Sequence, residues 1–379
     1  MRILFDHQAF TGNKFGGVAR YFHQLITHLR KKGHTVRLSL WISHNVYLEN
    51  DSHIRVWKAP MWLGFKVSNL VFSQLNRLAS TIALVLGRYD LVHITFFHDY
   101  FLYFIGKKPF VITFHDLIKE KFGDLYLNLD NASFSQKKKL LDRAAAVIAV
   151  SHHTKQDIID IFNIPAEKIT VIHHACAFEK KMPSEMTPLS TPAHYFLYVG
   201  ARNDYKNFPR FLSAFHEFNR KYPEVHLICA GGGPFTEPEL RLIQRLKLES
   251  QVEFRSFNQD DVLYGLYAQA IAFVYPSLYE GFGIPILEAF AANCPVLLSN
   301  ASCFPEVAQD GALYFEPESI ASIANQMERV WMDPILRNQL IANGEARLQD
   351  FSPEKLTFQT EQVYKKVLGL LTEKPVVVD

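Results

Sequence analysis

Short runs of β-branched and aromatic residues alternate with stretches of helical period along almost the whole chain. In the first half the strand-like runs are Arg2–Phe5, Thr35–Leu40, Leu91–Thr95, Phe110–Phe114, Ala146–Val150 and Ile169–His173. In the second half they are Tyr195–Val199, Val225–Ala230, Val252–Phe254, Ala272–Tyr275, Val296–Ser299 and Ala312–Phe315. Such alternation predicts parallel sheets covered by helices. The clearest helix carries Val18, Tyr21, Phe22, Leu25, Ile26 and Leu29 on one stripe and stops at Gly33.

The alternation breaks in FEKKMPSEMTPLSTPAH (Phe178–His194), which has three prolines and no period and reads as an exposed linker. The fold class expected is therefore α/β, with two doubly wound, Rossmann-like domains: residues 1–184, then 185–352. A tail over 353–379 follows, where Ser352 as N-cap and Pro353 at the first helical position predict a long helix that braces the domains. The length of 379 residues agrees, since one core stops growing at roughly 250 to 300 residues.

Composition removes several classes. With 48% hydrophobic and 21% charged residues the chain is an ordinary globular one, and a net charge of +2 implies no nucleic-acid partner. The four cysteines (Cys176, Cys229, Cys294, Cys303) form no CxxC pair, so neither a zinc site nor a disulfide framework is expected, and they read as buried fillers in a reducing cytosol. MRILFDHQAF enters a strand directly, which is read as no export signal. Pro60–Asp90 is apolar with Lys66, Arg77 and Arg88 spread through it, and no window is long enough to span a membrane. One reading is a core-packed helix; the other is a membrane-resting surface with Trp62, Phe65 and Phe72 dipping in.

In open α/β sheets ligands bind beyond the carboxyl ends of strands. Five stretches lie there. YVGARNDYKNF carries Arg202 and Lys206, a guanidinium and an ammonium suited to a diphosphate; the alternative is a solvated basic loop. CAGGGPF (Cys229–Phe235) reads as a tight strand-to-helix turn, without a P-loop lysine or a dinucleotide fingerprint. EGFGIPILE (280–288) is a loop through Gly281, Phe282 and Gly283 feeding a helix at Ile284 and Pro285, whose N-terminus favours an anion. Glu280 and Glu288 would repel phosphate, so they are assigned to hydroxyls, which donate to carboxylates; alternatively Glu288 only complements the helix dipole. KFGGVARYF places Gly16 and Gly17 at a second helix N-terminus. TFHDL ends a strand with His115, either a substrate contact or a capping or core histidine. His93, His98, His152, His153, His173 and His174 read as structural or surface residues. No histidine spacing suggests a metal.

GGVARYF, VGARNDYKN and YPSLYEGFGIPILEAFAANCPVLLSNASCFPEVAQDGALYFEP together resemble glycosyltransferase family 4, retaining enzymes of the GT-B fold, over nearly the whole chain. The resemblance implies two domains facing across a cleft that closes over the donor, with the terminal helix crossing back to the first. It implies transfer of a sugar from a UDP- or GDP-sugar to a glycan or lipid-linked acceptor, without cofactor or metal. The setting it suggests is bacterial surface polysaccharide (lipopolysaccharide) synthesis in the cytoplasm, peripheral at the inner membrane. By the same resemblance Arg202 and Lys206 hold the diphosphate, and Glu280 with the backbone N–H groups of Phe282 and Gly283 meets the transferred sugar, Gly281 and Ile284 being counted with them as substrate-binding. Glu288 meets the ribose, Gly16 and Gly17 the phosphates, and His115 the donor sugar. Phe257 and Asn258 are assigned to the nucleobase.

The chain departs from the family pattern at Ser256, where glycine is usual, and in VIHHACAF (Val171–Phe178), where a proline-asparagine-glycine turn is usual. Rival readings are a non-transferring sugar-nucleotide 2-epimerase and a non-catalytic nucleotide-sugar-binding subunit. The basic pair and both glutamates together disfavour the second.

Overall fold

The apolar runs become strands nearly residue for residue. In the computed structural model, residues 1–370 are described except 12, 13, 15, 50, 52, 53, 55, 59–64, 124–131, 179, 182–188, 203 and 258. They form two units, Met1–His174 with the chain from Pro353, and Ala175–Ser352.

The first unit runs β1 (Arg2–Phe5), α1 (Gly17–Lys31), β2 (Thr35–Leu38), β3 (Ile42–Ser43), α2 (Val46–Glu49), β4 (Trp57–Lys58), α3 (Phe65–Leu86), β5 (Leu91–Ile94) and β6 (Phe110–Phe114). It continues with α4 (Ile118–Phe122), α5 (Phe134–Arg143), β7 (Ala146–Ala149), α6 (His152–Phe162) and β8 (Ile169–Val171). The six-stranded sheet has the order β2-β1-β5-β6-β7-β8, every pairing parallel. Strands of a parallel sheet are covered on both faces, which is why Leu91, Val92, Val111, Ile112 and Ile148 are all buried. The stripe read on α1 is its buried face: Tyr21, Phe22, Leu25, Ile26 and Leu29. Gly33, at φ 83°, ends the turn after it.

The second unit runs β9 (Tyr195–Val199), α7 (Phe208–Asn219), β10 (His226–Ala230), α8 (Glu237–Arg245), β11 (Val252–Arg255), α9 (Asp260–Ala268), β12 (Ala272–Tyr275) and α10 (Ile284–Ala291). After these come β13 (Val296–Ser299), α11 (Phe304–Ala308), β14 (Ala312–Phe315), α12 (Ile320–Met332) and α13 (Pro334–Leu348). Its six parallel strands lie in the order β11-β10-β9-β12-β13-β14. The chain reverses direction of growth between β9 and β12, so the loops after these strands border a topological switch point.

The terminal helix α14 (Pro353–Val367) belongs to the first unit and packs on α1. Tyr364 Oη meets His93 Nδ1 at 2.5 Å beneath it, and Glu361 accepts from Lys32 (3.1 Å) and Lys365 (2.8 Å) at its flank.

Helix α3 is apolar on two faces. Phe72, Ala79, Ala83 and Leu84 are buried, whereas Val71, Leu78, Ile82, Val85 and Leu86 are exposed and recur at helical spacing on the opposite side. Phe72 therefore does not dip outward: its ring meets His44 edge-on at 5.7 Å, because its position falls on the sheet-facing side of the helix. Trp62 lies outside the described residues, as does the side chain of Phe65. Among the described residues no helix is long and apolar enough to cross a membrane.

Candidate active site

In the second unit the loops after β9 and β12 are stitched together. The Leu278 N–H bonds the Tyr205 carbonyl at 2.8 Å. That brings Lys206 to Glu280: Nζ donates to Oε1 at 2.6 Å, with the side chains only 12% and 11% exposed. Lys206 also reaches Tyr275 Oη at 3.3 Å and lies over the Tyr205 and Tyr275 rings. Burial, with the Glu280 carboxylate beside it, pushes the Tyr275 phenol well above its ordinary pKa of 10. It stays a neutral donor. The backbone of Glu280 is itself held, its N–H bonding Ser302 Oγ at 3.1 Å and its carbonyl accepting from Cys303 Sγ at 3.2 Å.

Gly281 and Phe282 make the turn from Glu280 into α10, and Phe282 is buried edge-on to Phe351. Gly283 is the N-cap, at φ 92° and ψ 56°. An added Cβ there would lie 3.0 Å from Ile286 Cδ1 and 3.1 Å from Phe304 Cε1, so conformation and space both demand glycine. Of the first three helical residues Pro285 has no N–H, and the Ile286 N–H already bonds the Gly283 carbonyl. The Ile284 N–H is the one the helical ladder leaves over, at the positive end of the helix. Glu288, one turn further on, is buried and accepts from Tyr267 Oη at 3.2 Å.

Arg202 points elsewhere. Its guanidinium donates to the carbonyls of Gly231 (3.0 Å), Gly233 (2.8 Å) and Pro234 (2.9 Å), and Nε pairs with Glu239 at 2.7 Å. The side chain is 3% exposed and is also over the Phe235 ring at 5.0 Å. The glycine-rich segment is thus a clamped turn. Gly231, Gly232 and Gly233 all have φ between 72° and 80°, and a Cβ on Gly232 would sit 2.6 Å from the Gly200 carbonyl. The two basic residues of one short stretch therefore hold different partners, Lys206 the Glu280 loop and Arg202 the glycine turn. The Phe257 ring lies against Gly231, and Asn258 is outside the described residues.

In the first unit Gly16 precedes α1 with extended backbone, φ 172°, and among the described residues nothing beyond its chain neighbours lies within 4 Å of where its Cβ would be. Gly17 is the first helical residue. His115 directly follows β6. Its ring stacks on His174 (centroids 5.3 Å, 16° between planes), with Nδ1 3.4 Å from His174 Nε2, and Tyr21 sets its edge against both rings. His115 Nε2 is buried without a hydrogen-bond partner among the described residues. Burial presses the His115 pKa down to about 3 and, with His115 and His173 nearby, holds His174 well below 6.5. Both rings are neutral. Among the described residues no three His, Cys, Asp or Glu side chains gather as a metal site. The four cysteines are buried.

Residues 184–347 match the family model described as Glycosyl transferases group 1, and residues 15–179 the model described as Glycosyltransferase Family 4. The chain is 33% identical over 269 residues to O-antigen chain mannosyltransferase B of Escherichia coli, covering 67% of this chain and 70% of that one. It belongs to glycosyltransferase family 4.

A second relative, O-antigen chain mannosyltransferase RfbU of Salmonella typhimurium, is 30% identical over 243 residues, 63% of this chain and 64% of that one. The structure of Anabaena Alr3699/HepE in complex with UDP and glucose superimposes with a TM-score of 0.74 at 21% identity, covering 97% of this chain and 100% of that one. At that identity the likeness carries the fold, which is GT-B. For this family 4 glycosyltransferase, sequence reasoning missed Tyr275, Ser302, Tyr267 and Glu239, which hold the named residues in place. Their signals are weak, because a lone tyrosine or serine in an apolar run shows no spacing. Ser302 takes φ 50°, a backbone feature invisible in sequence.

Proposed function

We propose that this glycosyltransferase moves a sugar from a nucleotide-diphosphate donor to a glycan or lipid-linked acceptor hydroxyl, with retention at the anomeric carbon, in surface polysaccharide synthesis. The observation that carries the reading is the Lys206–Glu280 pair on the loop that opens α10. A sugar bound through phosphate presents an anion and hydroxyls a few ångströms apart; an ammonium beside a carboxylate answers both. Lys206 and the N-terminal end of α10 stabilise charge growing on the leaving diphosphate, as preorganised donors do in a site of low dielectric. Glu280 accepts from a sugar hydroxyl and Glu288 from the ribose. A phosphate oxygen of the leaving group takes the acceptor's proton, so this chain need not supply a base. His115 contacts the donor sugar through Nε2. Arg202 supports the phosphate site by holding the glycine turn.

The relatives' names, both of mannosyltransferases of an O-antigen chain, make a nucleotide-linked mannose the first donor to test. The exposed apolar side of α3, with Arg88 and Lys107 exposed nearby, supports peripheral attachment to an anionic membrane face. The experiment is a panel of UDP- and GDP-sugars, with and without a lipid-linked glycan, scored for released nucleotide. Acceptor-dependent release for one donor is expected. Free epimerised sugar without acceptor would replace transfer by epimerisation, and no turnover of any donor would leave a binding subunit.

A further inference from the structure

We propose that His174 is a positioning residue for His115: the two imidazoles share one proton between His115 Nδ1 and His174 Nε2, and this sets whether His115 Nε2 donates or accepts. The inference rests on the reading of His115 as a donor-sugar contact and adds the residue that governs it. His174 lies in VIHHACAF, where the chain departs from the family pattern.

A neutral imidazole has one N–H and one lone pair. Where two neutral rings face each other nitrogen to nitrogen, one must donate and the other accept, since two lone pairs or two N–H groups repel. The rings are neutral because both are buried. The separation of 3.4 Å is long for a hydrogen bond, as catalytic bonds commonly are before substrate arrives. The tautomers are therefore coupled: the proton chosen at Nδ1 of His115 decides the opposite state at its Nε2.

The rings are also prevented from turning away. Tyr21 meets His115 at 5.2 Å and 81° and His174 at 4.8 Å and 88°, and its hydroxyl lies 3.5 Å from Thr113 Oγ1. Phe22 closes on His115 at 5.8 Å. What remains is His115 Nε2, a buried nitrogen that no group among the described residues answers. Buried polar atoms are seldom left so unless a ligand completes them.

The test uses the full chain. Nitrogen NMR of labelled histidine should show His115 in a single tautomer. In His174→Phe, which keeps a ring under Tyr21 but removes the nitrogen, it should show a mixture. In the transfer assay the same variant should lose kcat about tenfold, the worth of one hydrogen bond, while the donor KM moves less than about twofold. His174→Gln, whose amide can donate or accept, should recover most of the loss. Combining His174→Phe with His115→Phe should cost no more than His115→Phe alone. Wild-type kcat and an unchanged tautomer in His174→Phe overturn the proposal. Should that variant not fold, a tautomer mixture at His115 in the unaltered protein overturns it equally. A wild-type protein that turns over no donor would sink the functional reading while leaving the tautomer measurement intact, so the two failures are distinct.

Discussion

Lys206 Nζ donates to Glu280 Oε1 across 2.6 Å, in a pocket walled by Tyr205 and Tyr275, so the ammonium and the carboxylate that the proposed function assigns to phosphate and hydroxyl are one buried ion pair. Removing one partner of such a pair strands a charge in low dielectric, whereas removing both does not. Lys206→Met and Glu280→Gln should each destabilise the chain by about 3 kcal/mol, and each should lower kcat by about 10² or more. The double variant should regain stability without activity. Melting curves and the transfer assay read both, and additive stability losses would show that the pair does not act as a unit.

Arg202 spends its donors on the glycine turn, so its removal should act through that turn. Arg202→Met should raise amide exchange across Cys229–Phe235 and destabilise by about 3 kcal/mol. Arg202→Lys keeps the charge but not the fork and should rescue little. A raised donor KM with normal stability and exchange would instead make Arg202 a direct phosphate ligand.

Two glycines should respond oppositely to alanine. Gly283→Ala forces a side chain into φ 92° and against Ile286 and Phe304, costing at least about 1 kcal/mol. Gly16→Ala meets no neighbour among the described residues and an ordinary φ, so thermal stability should be unchanged and any loss should fall on donor binding. A lowered melting temperature for Gly16→Ala would mean that the glycine is structural.

The first unit should be acid-sensitive. His7, His93 and His115 are each held near a pKa of about 3, mainly by burial, against 6.5 when unfolded. A histidine whose folded pKa is depressed contributes stability that is complete above about 6.5 and lost as pH falls toward the folded value. Asp6 opposes this: burial outweighs its bonds from Thr95 and Gln8 and raises it to about 6 from 3.8, so its protonation favours the folded state across that window. Three histidines outweigh one carboxyl. Protection of the β1 and β5 amides, taken relative to their intrinsic exchange rates at each pH, should fall between pH 6.5 and 3, and less so in His93→Gln. Unchanged protection across that window would contradict buried neutral histidines.

The outer side of α3 should bind lipid. Leu78→Glu with Val85→Glu changes exposed positions only, so the melting temperature should hold while co-sedimentation with anionic vesicles falls. Equal vesicle binding by the variant would remove the membrane role from this helix.

Much of the fold was legible because its signal is local. Strand runs such as Phe110–Phe114 and Tyr195–Val199 are recovered at both ends, since a fully buried parallel strand must be apolar throughout and helical periods separate it from the next. The same locality failed for Phe72, which an apolar stretch alone places on either side of α3; only the sheet beneath decides which side is core. His174 read as a bland residue because its meaning lies 59 residues away at His115.

The sequence by itself determined the two Rossmann-like units and the glycine-opened helix at Ile284, with Glu280 placed before it, because backbone conformation and burial period are written in neighbouring residues. Only the tertiary structure decided partners: Lys206 with Glu280, Arg202 with the glycine turn, His115 with His174. The first two pairings follow from strands that lie side by side in the sheet, whereas His115 and His174 meet from β6 and β8 with β7 between them. Side-chain chemistry offers each of these groups many acceptors, and packing geometry selects one.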